Sequence, residues 1–212
     1  MRHAEVSYVG ERNPEVVRLT ERGLEQAAAA RRALDEVRFD LVVTSTLPRT
    51  LETAEVVAPD AEVEQWEAFA EWRGGRLSDI PPEELEQVFV GALQIRDEET
   101  RFLGGESLGQ ALDRVHPAFD ALAARDWDTA LAILHGGINR ILISHALTGG
   151  ERTYYGTFEQ APACINVLDL GEGGWIVRTV NYIPYDPLHP ARTTTMEHVW
   201  NELQGWWGAR GA

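Results

Sequence analysis

Two short apolar runs end on polar residues and pass straight into helix-forming sequence, and this repeated order of run, turn and helix leaves few architectures open. The first, Phe39-Asp40-Leu41-Val42-Val43-Thr44-Ser45, is β-branched and unalternating, which suits a strand buried on both faces. Helical spacing resumes over 48–58, with Leu51, Ala54 and Val57 or Ala58 on one side. The second run, Thr129–Leu134, reaches a turn at Gly136-Gly137 and then a helix over 138–147. Strand, turn and helix alternate through most of the chain, which argues for a three-layer α/β/α sandwich with a mostly parallel sheet. At 212 residues one domain, 1–212, is the default.

The remaining stretches fit that plan. Residues 4–18 are polar and read as a loop. Thr20 is placed to cap a helix that runs to about Val37, with Leu24, Ala27, Ala28 and Leu34 near one face. A short strand is expected over 61–66 and a Gly-rich loop over 71–81. Pro81-Pro82 suits the start of a helix carrying Leu85, Val88, Phe89 and Leu93. Ser107 caps the next helix, whose apolar positions run from Leu108 to Leu122; Pro117 should kink it or split it. The alternating segments 164–170 and 175–180, joined by Gly171-Glu172-Gly173-Gly174, predict a β-hairpin. After a Pro-rich loop over 184–195, the tail, 196–212, is amphipathic, with Val199, Trp200, Leu203, Trp206 and Trp207; it is read as packing on its own domain in preference to a partner.

In open α/β sheets, ligands bind beyond the carboxyl ends of the strands. Thr44-Ser45-Thr46-Leu47-Pro48-Arg49-Thr50 and Leu134-His135-Gly136-Gly137 obey that rule. Both lie at helix N-termini, where free N–H groups and the helix dipole favour anions. Arg2-His3 would obey it too if a strand preceded it; almost no chain does, so the first strand reads as missing or truncated and Met1 as an internal methionine. A guanidinium offers a planar fork of donors that matches phosphate oxygens. Arg2 and Arg49 with two imidazoles, His3 and His135, can neutralise one phosphoryl group without a metal or other cofactor. Glu71, in Glu71-Trp72-Arg73-Gly74-Gly75, is the nearest candidate acid, with Glu64 and Glu67 close by. Arg12, Arg73 and Arg140 could reach substrate or form surface salt bridges. His145 reads as a helix residue, and His116, His189 and His198 as residues without partners.

These motifs, in order, resemble the histidine phosphatase superfamily, also called phosphoglycerate mutase-like. Arg2-His3 is similar to its opening signature. Leu19-Thr20-Glu21-Arg22-Gly23-Leu24-Glu25-Gln26-Ala27 matches its Leu-Thr-x-x-Gly-x-x-Gln-Ala stretch. Ser45, Arg49, Thr53 and Ala54, then Glu71 with Gly75, then Glu106-Ser107-Leu108, then His135 through Arg140 follow in family order. The family usually has Gly where Ala4 stands, and many members have Ser, Thr or Ala where Leu134 stands.

The resemblance implies a phosphoglycerate mutase-like sandwich and a hydrolase, a histidine acid phosphatase-like phosphomonoesterase. It makes His3 the nucleophile that forms a phosphohistidine, Arg2, Arg49 and His135 the ligands of the phosphoryl oxygens, and Glu71 the proton donor. His3 should attack as neutral imidazole while His135 is better protonated, which requires pKa values pushed apart. A cofactor-dependent phosphoglycerate mutase fits less well: the fuller motif after Arg-His has Val9 in place of Asn, and the span from Glu71 to Glu106 is short. A non-catalytic phosphate-binding scaffold is the rival from another class.

The formal net charge of −15 opposes binding to nucleic acid or an anionic membrane, so the expected partner is a small phosphorylated substrate held in a local island of Arg and His. Cys164 is the single cysteine, which excludes an intrachain disulfide and fits a reducing, cytoplasmic setting. The hairpin and the tail are the surfaces on which a homo-oligomer would form.

Overall fold

The computed structural model describes residues 1–10, 13–76, 79–91, 94, 97–189 and 193–210. Its centre is a parallel sheet of β1 (Leu41–Thr44), β2 (Val63–Gln65) and β3 (Ala130–Ile133) in the order β2-β1-β3. Residues 1–3 extend this sheet beyond β3. The Leu134 N–H donates to the Met1 carbonyl at 2.9 Å, and the His3 N–H donates to the Leu134 carbonyl at 2.8 Å. On the other side, the Arg2 N–H donates to Cys164 O and the Ala163 N–H to His3 O, both at 3.0 Å. His3 is therefore carried at a sheet position, level with the carboxyl end of β3.

Side chains alternate across a strand, and in β1 this divides the core in two. Val42 faces Met1, Ala27, Ala30, Ala54 and Val57, so α1 (Glu21–Ala33) and α2 (Pro48–Val57) cover one face. Leu41 and Val43 face Leu112, Val115, Ile138 and Ile141, so α4 (Leu108–Ala123) and α5 (Gly136–Thr148) cover the other. The result is the three-layer α/β/α sandwich with a parallel sheet. The hairpin of β4 (Ile165–Gly171) and β5 (Gly174–Tyr182) packs beside it, with Trp175 stacked on Phe119 at 4.6 Å between ring centroids. No helix among the described residues is long and apolar enough to cross a membrane.

Three local expectations change. Helix α1 stops at Ala33, where the Leu34 N–H turns back to both Ala30 O and Arg31 O. Its buried face carries Gly23, Gln26, Ala27 and Ala30, while Leu24 is 48% exposed. The cause is Gly23: a Cβ there would lie 2.3 Å from the Glu5 carbonyl oxygen, so the helix is pressed against the loop on its glycine side. Thr20 does cap it, accepting from the Gly23 N–H, a contact worth about 1 kcal/mol. In α4, Pro117 lies inside one continuous helix. Pro117 removes the helical donor of the Asp113 carbonyl, and both residues are exposed. Residues 81–84 form a turn, and α3 (Leu85–Gly91) begins only at Leu85; Leu93 lies outside the described residues.

The tail forms α6 (Thr195–Arg210), and Trp200 and Leu203 are buried against Leu85 and Phe89 of α3. His116, expected to be without partners, is buried against His145, with ring centroids 4.5 Å apart. The contact joins α4 to α5, and an interhelical contact leaves no trace in local spacing.

Candidate active site

Each candidate ligand of an anion is set by a different part of the sheet edge. His3 is 2% exposed, and its Nδ1 lies 2.7 Å from the Ala4 carbonyl oxygen. A carbonyl only accepts, so Nδ1 carries the proton and Nε2 is left as a bare lone pair. Ala4 is fully buried, with its N–H on Thr53 Oγ1 at 3.1 Å, and Thr53 in turn donates to Arg49 O one turn earlier in α2. Glu5 is held from three sides by the Leu-Thr-x-x-Gly-x-x-Gln segment: its N–H donates to Gln26 Oε1, its carbonyl accepts from the Thr20 N–H, and its carboxylate accepts from Thr20 Oγ1. The motif residues of α1 thus fix the chain immediately after His3.

His135 is the N-cap of α5 and is fully buried. Its ring lies 5.2 Å from that of His3, edge on, and its Nε2 is hydrogen-bonded to Ser45 Oγ at 2.7 Å. Ser45 also accepts from the Leu47 N–H, so the loop after β1 holds the imidazole. Arg49, in the first turn of α2, is 3% exposed and donates through NH1 to Pro14 O. Arg2 donates through NH1 to Gln160 O at 2.5 Å. His135 Nδ1, Arg49 Nε and Arg2 Nε are buried and have no hydrogen-bond partner. Buried donors of this kind are costly unless something accepts from them.

Glu71 docks on the N-terminus of α5. Its carboxylate accepts from the Gly137 N–H at 3.2 Å and from the Trp72 N–H at 2.9 Å. A Cβ at residue 137 would lie 2.7 Å from Glu71 Oε1, so Gly137 serves close approach as well as the turn read from the Gly-Gly pair. A Cβ at residue 136 would meet Arg2 Nε at 3.6 Å. Three consecutive residues, His135, Gly136 and Gly137, therefore adjoin His3, Arg2 and Glu71.

Of the other candidates, Arg73 is exposed and paired with Glu67, which also accepts from Thr46 Oγ1. Arg12 lies outside the described residues. Arg140 is 6% exposed, donates to Phe158 O and Gly136 O, and forms an ion pair with Glu159 at 4.0 Å. Sequence reasoning missed Gln160, which is fully buried and is bonded to both Asn139 and Asn166 while its carbonyl holds Arg2. No local pattern signals a residue that acts through its backbone oxygen.

The electrostatics differ from expectation at His135. Burial, then Arg49 and Arg2, holds His3 well below the usual histidine range. Burial, then Arg49 and His3, does the same to His135. The two values are pushed down together; without an anion both rings are neutral. Burial, His145 and Arg152 also lower His116. Below about pH 6.5 the unfolded chain therefore binds more protons than the folded one, down to the lowered folded values, and stability falls with pH across that window. The melting temperature of anion-free protein is expected to drop between pH 7 and pH 5, and added sulfate to reduce the drop, because a dianion favours a protonated imidazole beside it. Equal melting temperatures at the two pH values would contradict this.

Comparison with known proteins places this geometry. The model of the histidine phosphatase superfamily (branch 1) matches residues 1–183. The chain belongs to that superfamily. Phosphoserine phosphatase 1 of Hydrogenobacter thermophilus is 26% identical over 192 residues, covering 85% of this chain and 90% of that protein. The 6-phosphofructo-2-kinase/fructose-2,6-bisphosphatase of Gallus gallus is 28% identical over 134 residues, 61% of this chain and only 28% of that longer protein. Among solved structures, the alpha-ribazole phosphatase of Shigella flexneri superposes with a TM-score of 0.66 at 25% identity, covering 85% of this chain and 94% of that one. These relatives carry phosphatase names, the Gallus gallus protein together with a kinase.

Proposed function

We propose that this protein is a metal-independent phosphomonoesterase of the histidine acid phosphatase-like type, which passes the phosphoryl group of a small phosphorylated substrate to His3 and then to water. The observation that carries the reading is His3 itself: a neutral ring with Nδ1 occupied and Nε2 free, placed among buried, unpartnered donors of Arg2, Arg49 and His135.

In the first step His3 Nε2 bonds to phosphorus, the bond to the leaving oxygen breaks, and Glu71 gives that oxygen a proton. In the second, water attacks phosphorus, Glu71 takes its proton, the Nε2–phosphorus bond breaks and orthophosphate leaves. Covalent catalysis of this kind splits one difficult displacement into two easier ones. Arg2, Arg49 and His135 stabilise the charge on the equatorial oxygens in both steps. The acidic charge balance supports a small substrate over nucleic acid or a membrane surface.

The test is to mix enzyme with an aryl phosphate in excess EDTA, quench into alkali within a turnover, and map the label. A phosphoryl group on the peptide bearing His3, stable in alkali and lost in acid, is the expected result. A label on another residue, or turnover that EDTA abolishes, contradicts the reading.

A further inference from the structure

The segment that carries Glu71 has no regular secondary structure from Ala70 to Arg76, yet its backbone is fixed on both sides of Glu71 by one buried ion pair. Arg114, on α4, grips the Glu106 carboxylate with two donors: Nε to Oε1 at 3.1 Å and NH2 to Oε2 at 2.8 Å. Its NH1 is spent elsewhere, on the carbonyls of Ala68 at 2.7 Å and Ala70 at 2.8 Å. Glu106 holds the other side: Oε2 accepts from the Arg73 N–H, the Glu106 N–H donates to Arg73 O, and the Glu106 carbonyl accepts from the Trp72 indole. Glu71 sits between the two sets of contacts and reaches Gly137.

The two side chains are only 15% and 10% exposed. A buried ion pair adds little net stability over an apolar filling of the same volume. An apolar filling, however, could not accept from the Arg73 N–H or donate to the Ala68 and Ala70 carbonyls. A guanidinium suits the task because its planar fork serves carboxylate and carbonyls at once, which an ammonium cannot do.

We infer that Glu106 and Arg114 are positioning residues for Glu71, setting the aim of its carboxylate at the leaving oxygen. The inference rests on Glu71 being the proton donor, as in the function proposed above. Its signature is selective. Proton donation matters where the leaving group is a poor one, such as an alkoxide, and little where it is a stable phenolate.

The experiment measures kcat/KM, which reports steps up to phosphoenzyme formation, for alkyl phosphates, phenyl phosphate and 2,4-dinitrophenyl phosphate. The enzymes are wild type, E71Q, E106Q, R114K and the double variant E71Q/E106Q, with melting temperatures recorded for each. E106Q and R114K are expected to lose about 10- to 100-fold on alkyl phosphates, within the range a positioned acid contributes, and less than about threefold on the dinitrophenyl ester. E71Q should show the same slope more steeply, and adding E106Q to it should cost nothing further. A uniform loss across leaving groups in E106Q and R114K, or a full additional loss in the double variant, overturns the inference while a steep E71Q profile leaves the acid role standing. A flat E71Q profile removes the acid role and the inference together.

Discussion

The His3→Ala variant is expected to lose turnover of every phosphomonoester by a factor on the order of 10⁴ to 10⁶ in kcat, the range seen when a catalytic nucleophile is deleted. Its fold should survive. The side chain makes one hydrogen bond, to the carbonyl of its own neighbour, and the sheet contacts of residue 3 come from its backbone. Anion binding should survive as well, because Arg2, Arg49 and His135 remain. Removing the His3 ring also removes one of the influences that depress His135, so the site should hold a dianion at least as well as before. The two measurements are steady-state hydrolysis of an aryl phosphate in EDTA and the affinity for sulfate. Lost hydrolysis with retained affinity assigns the nucleophile to His3. Turnover within tenfold of wild type would move the nucleophile elsewhere, and lost affinity would mean that the substitution had damaged the site as a whole.

The parts of this site that the sequence made legible are those with a local cause. Ser45 and Arg49 follow a buried strand and open a helix, and His135 follows another; strand, turn and helix N-terminus are all written in neighbouring residues. The order of these motifs was enough to suggest the superfamily. What escaped was set by contacts between distant segments. The sheet position of Met1, Arg2 and His3 is one such case, made by bonds to Leu134 and Cys164, far along the chain. The buried face of α1 turned on Gly23 meeting the Glu5 carbonyl, where spacing alone favoured Leu24. The Glu106–Arg114 pair shows no helical i,i+4 relation, and its purpose appears only when Ala68, Ala70 and Arg73 are seen beside it. The lowered pKa of His135 in the anion-free site has a related cause, since burial beside Arg49 and Arg2 is set by distant segments.

That last point carries a second large effect. A His135→Asn variant is expected to lose about 10²- to 10³-fold in kcat, the cost of removing one preorganised donor from a developing charge. It should also lose a proton linkage that the wild type shows. In the free enzyme His135 lies well below the usual histidine range. A bound dianion next to the ring reverses the balance and raises it, so binding takes up a proton at any pH between the two values. In that window anion affinity must strengthen as pH falls, by up to about tenfold per pH unit for one proton. Sulfate is the right probe, because it remains a dianion throughout and contributes no titration of its own. Calorimetry in buffers of different ionisation enthalpy should report uptake approaching one proton for wild type and none for His135→Asn. Ser45 at Nε2 leaves Nδ1 as the atom that meets the anion, so the neutral ring can also bind by donating from Nδ1 when Ser45 donates to Nε2. Uptake near zero in wild type would select that neutral arrangement. Uptake that persists in His135→Asn and vanishes in His3→Ala would instead place the proton on His3, and a protonated His3 cannot be the nucleophile.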